Sequence, residues 1–199
     1  MTGAVYRVQP DGLWDELGTA KDDAPYDVAI EPDGAILVAT GAKGKLFRLS
    51  GDPVTALLLT LVDVATPLWL PQGLDAGVLD FLRFHCACPV VPSASLARFA
   101  VVPAGSAAPT QASCHPGDPA YPDLSTTLLI EVASLDAGAE VSLAGPGIQG
   151  RQALRAAGLP EGFWRDWRIN HQRFPLGVDV FLTHGRQLCA LPRSTRVES

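Results

Sequence analysis

A repeated strand signature sets the first constraint on this chain. Gly3-Ala-Val-Tyr-Arg-Val8 recurs as Gly44-Lys-Leu-Phe-Arg-Leu49, a spacing of 41 residues. Short alternating stretches run at 4–8, 13–17, 26–31, 35–39 and 45–49, the period-two pattern of half-buried strands. Pro10-Asp-Gly12 and Pro32-Asp-Gly34 supply turns between them, because proline presets φ and glycine takes positive φ. Residues 1–52 are therefore expected to form a small antiparallel β-meander.

From residue 54 the pattern changes. Apolar helix candidates cover 55–63 and 74–85, the second with Leu74, Val78, Phe81, Leu82 and His85 on one face. Strands follow at 98–102, 126–132 and 140–143, then a helix over 160–173 with Pro160 in its first turn, where the missing N–H costs nothing. Two last strands, 178–183 and 187–190, form a hairpin over His184-Gly-Arg186. The segment 54–199 thus reads as an α/β domain, a mixed sheet with flanking helices. The stretch 103–122 is rich in small residues and proline and has no periodicity. It is expected to be an exposed excursion or a partner-binding arm.

Composition excludes several classes. The formal charge is −6, which argues against a nucleic-acid-binding protein. With 47% hydrophobic residues the chain has too much apolar surface to stay disordered. The longest apolar run, Ala56 to Val62, is far short of the roughly 20 residues of a membrane span. The start carries no secretory pattern, so a cytoplasmic protein is the expectation. Cysteines at 86, 88, 114 and 189 show no disulfide framework, and a reducing compartment leaves them as small buried thiols.

Candidate chemistry is sparse. Gly145-Pro-Gly-Ile-Gln-Gly150 is a formal G-x-G-x-x-G after a strand, but Arg151–Ala157 gives only two helical turns before Gly158-Leu-Pro160 stops it. A dinucleotide fold needs a longer helix there, so a tight structural turn is the default reading. A backbone nest for phosphate, beside Arg151 and Arg155, is the intermediate one. No G-x-S-x-G elbow or P-loop is present. His85-Cys-Ala-Cys88 with Cys114-His115 lacks the usual C-x₂₋₄-C zinc spacing, so no metal is expected. No lysine follows Lys45, so 54–199 cannot form the Schiff base of a pyridoxal phosphate enzyme. The fixed positive charge after Val54 is all arginine, whose planar fork suits phosphate or carboxylate oxygens. Gly145, Gly147, Arg151, Arg168, Arg193 and Arg196 are the candidate anion or partner contacts. The competing reading is ordinary ion pairing with Asp166, Asp179 and Glu198.

A resemblance adds to this reading. The tail Phe174-Pro-Leu-Gly-Val-Asp-Val-Phe-Leu-Thr183 and Ala190-Leu-Pro-Arg-Ser-Thr-Arg-Val-Glu198, with Gly145-Pro-Gly-Ile148, Tyr121-Pro-Asp123 and Leu82-Arg-Phe-His-Cys-Ala-Cys-Pro-Val90, resembles the PhnH family, the H subunits of the bacterial carbon–phosphorus lyase system. The resemblance begins at about Val54. Residues 1–52 instead resemble one blade of a β-propeller, a unit that cannot close a propeller alone. The family resemblance implies a domain similar to pyridoxal-phosphate-dependent transferases without the cofactor. It also implies an accessory place beside G, I and J subunits, in an assembly that transfers a phosphonate to the ribose of ATP with release of adenine. A homodimer is compatible with it, and it assigns no catalytic residue.

Overall fold

The computed structural model describes residues 2–8, 14–21, 28–30, 36–40, 45–49, 53–74 and 76–198, with side chains from Pro53 onward. The chain divides into two compact units, Met1–Leu61 and Val62–Ser199.

In the first unit, β1 (Thr2–Val8) pairs antiparallel with β2 (Trp14–Lys21). A separate antiparallel sheet runs β3 (Val28–Ile30), β4 (Ile36–Thr40), β5 (Lys45–Leu49). Among the described residues these strands therefore lie in two sheets rather than in one four-stranded blade. Helix α1 (Pro53–Leu61) lies against β4 and β5. It opens on Pro53, whose missing N–H is tolerated in a first turn, and it buries Val54, Leu58 and Leu59 at i, i+4 and i+5.

The second unit is built on a six-stranded mixed sheet. It contains β6 (Leu68–Trp69), β7 (Val90–Val91), β8 (Phe99–Val102), β9 (Thr127–Glu131), β12 (Asp179–His184) and β13 (Gln187–Leu191). Their order is β13-β12-β9-β8-β6-β7, all neighbours parallel except the β12–β13 hairpin. Central parallel strands are covered on both faces and read as unbroken apolar runs. Ala100–Val102 and Leu128–Ile130 are accordingly buried without alternation. A smaller antiparallel sheet joins β11 (Gln152–Arg155), β10 (Glu140–Ala144) and β14 (Arg196–Glu198). Helix α2 (Ala76–Cys86) connects β6 to β7, and α3 (Phe163–Gln172) follows β11.

Side chains from both sheets and α3 share one core. Trp167 is fully buried among residues that include Ile130, Leu143, Val180 and Leu182, and Phe163 stacks on it at 6.2 Å between ring centroids. The indole Nε1–H donates to the Thr195 carbonyl at 3.0 Å, so the ring is buried without an orphan donor.

Four expectations are corrected here. Arg151–Ala157 is not a short helix: residues 152–155 are strand β11, because an isolated two-turn helix is marginal and the β10 edge offers a ladder instead. Pro160 lies before α3 rather than in its first turn, and Gly162 at φ 72° is the N-cap. The 103–122 stretch is not a free arm. Gln111 and Cys114 are buried, and His115 and Thr126 exchange bonds, with His115 N–H to Thr126 Oγ1 at 3.0 Å and Thr126 N–H to the His115 carbonyl at 2.8 Å. On α2, Leu82 is buried, but Val78 and Phe81 of the expected apolar face are exposed.

Candidate functional site

The G-x-G-x-x-G stretch is a β-turn. Pro146 and Gly147 are its central residues, Gly147 has φ 83°, and Ile148 N–H donates to the Gly145 carbonyl at 3.1 Å. Proline followed by a positive-φ glycine is the signature of a type II turn. It carries β10 toward β11, and no helix opens there, so the structural-turn reading holds and the dinucleotide reading fails. Gly145 brings this turn close to the chain end, since a Cβ there would sit 3.2 Å from the Ser194 carbonyl oxygen and the Thr195 Cα.

The arginine candidates separate into different roles. Arg193 is an internal rivet. Its Nε donates to Asp179 Oδ1 at 3.1 Å, Nη1 to the carbonyls of Pro122 at 2.8 Å and Pro175 at 3.4 Å, and Nη2 to Ser125 Oγ and Asp179 Oδ2. A guanidinium has five N–H donors, and all are committed. Arg151 pairs with Glu198 at 2.7 Å. Arg155 is paired with Glu140 at 3.0 Å. Asp166 is taken by Arg165 at 3.0 Å. Arg168 is exposed on α3, and neither it nor Arg196 has an ion-pair partner among the described residues. The competing reading thus named the correct acids, with Asp179 bound to Arg193 and Glu198 to Arg151.

Arg196 stands apart because it lines an open cleft of about 590 Å³, together with Ala144, Gly145, Pro146, Ile148, Gly150, His171, Phe174 and Ser194. Each wall has a cause. The type II turn projects Pro146 and Ile148. The turn closed by Thr195 N–H to the Pro192 carbonyl at 2.7 Å presents Ser194 and Arg196, and it is held by the Arg193 rivet and the Trp167 bond. The last turn of α3 supplies His171, whose Nδ1 lies 3.0 Å from the Arg193 carbonyl. A carbonyl only accepts, so Nδ1 carries the hydrogen, and in the neutral ring Nε2 is left as an acceptor. Phe174 follows α3, 60% exposed.

Of the six candidate contacts the structure therefore brings Gly145 and Arg196 to one cleft, and Gly147, Arg151, Arg168 and Arg193 are not among its lining residues. Sequence reasoning missed His171, Phe174 and Ser194. Ser194 and Phe174 lie within the quoted tail signature, but nothing in the linear pattern says which side chains face one another.

A second cavity of about 310 Å³ lies among residues 106–111, Leu128, Ile130, Pro160, Glu161, Phe163 and Asp166. Gln111 lines it; its Nε2 donates to the Phe163 carbonyl at 3.4 Å, and its buried Oε1 has no partner.

Burial, then Cys88, pushes the Cys86 thiol up to about 11, and burial pushes Cys114 up to about 11. Among the described residues no group of three or more His, Cys, Asp or Glu comes together. No helix among them is long and apolar enough to cross a membrane.

Residues 40–198 match the family model described as PhnH, bacterial phosphonate metabolism protein. The match begins at residue 40 rather than at about Val54, so it takes in β5 and α1. The chain is 36% identical over 149 residues, 74% of each chain, to a Rhizobium meliloti (strain 1021) protein named alpha-D-ribose 1-methylphosphonate 5-triphosphate synthase subunit PhnH. It is 33% identical over 165 residues, 81% of this chain and 82% of the other, to a Stutzerimonas stutzeri protein named "Putative C-P lyase subunit protein HtxG". With most of its length under the family model and two relatives above 30% identity, the chain belongs to the PhnH family of bacterial phosphonate metabolism proteins.

Proposed function

We propose that this chain is a subunit of the carbon–phosphorus lyase core complex of phosphonate catabolism, where it supports transfer of a phosphonate to the ribose of ATP with release of adenine. The observation that carries the reading is the 36% identity over 149 residues to a protein named as a subunit of the ribose 1-methylphosphonate 5-triphosphate synthase. Its partners in this reading are the G, I and J subunits, with a homodimer of the chain as a further contact, in the cytoplasm. The role is accessory. No lysine follows Lys45, so residues 54–199 offer none for a Schiff base. This agrees with a family fold similar to pyridoxal-phosphate-dependent transferases that works without the cofactor. Residues 1–39, which precede the family match, are in this reading an addition carried by the subunit. Co-expression with G, I and J subunits, followed by size exclusion and mass measurement, tests it. Entry of the chain into the complex is expected, and clean exclusion of the folded chain would overturn it.

A further inference from the structure

The cleft around Arg196 combines a geometry and a charge that suit a ligand. The chain is acidic, at −6 overall, yet no Asp or Glu is among the residues lining this cleft, and Arg196 is its one fixed charge. Most of the described arginines are bound to a carboxylate or a carbonyl: Arg83 lies 3.7 Å from Asp80, Arg98 donates to the Asp123 carbonyl at 2.8 Å, and Arg151, Arg155, Arg165 and Arg193 are paired as above. The Arg196 side chain is exposed, lines the cleft and has no such partner among the described residues. An unpaired arginine on a mobile loop would mean little. This one follows a turn fixed by the Arg193 rivet and by the Trp167 Nε1–H bond to Thr195, so the backbone that carries it is anchored before any ligand arrives, and only the side chain remains to be ordered on binding.

The remaining walls define the rest of the ligand. Ser194 adds a hydroxyl, and His171 has its Nδ1 occupied by the Arg193 carbonyl. Phe174, Pro146 and Ile148 supply the apolar part of the lining. A volume of about 590 Å³ lies inside the range of small-molecule sites, which combine apolar walls with a few convergent polar groups.

The geometry points to this cleft as a binding site for a phosphate or phosphonate oxyanion carried on an apolar or aromatic body. The oxyanion sits on Arg196 and Ser194, and the organic part lies against Phe174. The inference stands on the lining of the cleft and not on membership of any complex.

Titration calorimetry of the purified full chain with methylphosphonate, phenylphosphonate and benzoate tests it directly. Saturable binding of phenylphosphonate is expected, tighter than that of methylphosphonate or benzoate. Arg196→Ala is expected to weaken both phosphonates at least tenfold, equivalent to ~1.4 kcal/mol. Phe174→Ala weakens phenylphosphonate while leaving methylphosphonate unchanged, a split that general unfolding would not give. Arg165→Ala removes one positive charge outside the cleft and is expected to change neither. Absence of saturable binding up to about 10 mM, or equal losses in Arg196→Ala and Arg165→Ala, would overturn the site. Loss of complex entry in Arg196→Ala, with no phosphonate bound by the free chain, would show instead that the cleft receives an acidic group of a partner subunit. Because binding is read on the isolated chain and assembly on the co-expressed complex, the two proposals fail separately.

Discussion

Arg193→Ala should be among the most damaging single changes in the second unit. The side chain is only 12% exposed and its partner Asp179 is 31% exposed, so this pair is screened far less than a surface ion pair. Alanine removes five side-chain hydrogen bonds, three to neutral oxygens and two to the Asp179 carboxylate, and leaves that carboxylate with the Arg193 backbone N–H at 2.7 Å. Removing one partner of a largely buried pair costs about 3–5 kcal/mol. For a chain of this size, each kcal/mol lowers Tm by roughly 2–4 °C, so a fall of about 6–20 °C is expected. Lysine in the same place keeps the charge but cannot span Asp179, Ser125, Pro122 and Pro175 with one ammonium, and should recover less than half of the loss. Urea unfolding followed by tryptophan fluorescence and by circular dichroism gives the comparison. A loss below about 1 kcal/mol for Arg193→Ala would place the pair with ordinary surface bridges and refute the rivet.

Other changes test other parts of the structure. Gly177 has φ 120°, and a Cβ there would lie 2.7 Å from Asn170 Oδ1, which accepts from Val178 N–H at 2.8 Å; Gly177→Ala should therefore destabilise by ~2 kcal/mol or more in a thermal melt. Gln111→Leu removes an orphaned buried oxygen at the expense of one long bond, so stability should stay within about 1 kcal/mol of wild type, and a larger loss would show that water satisfies Oε1. The Cys86 and Cys114 thiols sit above their ordinary value of 9.0, at about 11. Their neutral forms favour the fold fully below pH 9, and that contribution is lost as the unfolded thiols ionise between pH 9 and 11. The fall in stability across that window should be smaller in a Cys86→Ala, Cys114→Ala double variant, and an unchanged slope would count against buried neutral thiols.

Legibility in the sequence followed local signal strength. The long apolar runs at 126–132 and 178–183 announced β9 and β12, and the His184-Gly-Arg186 turn announced the final hairpin, because both rest on local periodicity and turn chemistry. The two-residue strands β6 and β7 carry too few residues to show any period, and β14 is a strand only because β10 offers it an edge. Residues 151–157 misled because Ala and Leu favour helix in isolation, while the ladder to β10 decides the outcome. For the site, arginine identity was legible but arginine role was not. Arg193 and Arg196 are three residues apart in one signature, and only the fold reveals that one is locked beneath the cleft while the other is open to it.

The centre of the large sheet has a consequence for how the molecule is made. β9 pairs with β12 in a register that sets Leu128 beside Val180 and Ile130 beside Leu182, partners about fifty residues apart, with β10, β11 and α3 lying between them. A pairing of that span must close a long loop before it returns any stabilisation, the feature that slows folding in parallel sheets. During synthesis, β8 and β9 therefore leave the ribosome with one flank uncovered until the segment through His184 has emerged. A polypeptide stopped at Phe174 would lack the strand that shields Leu128 and Ile130, and it should accumulate as aggregate or be degraded rather than persist as a smaller folded domain.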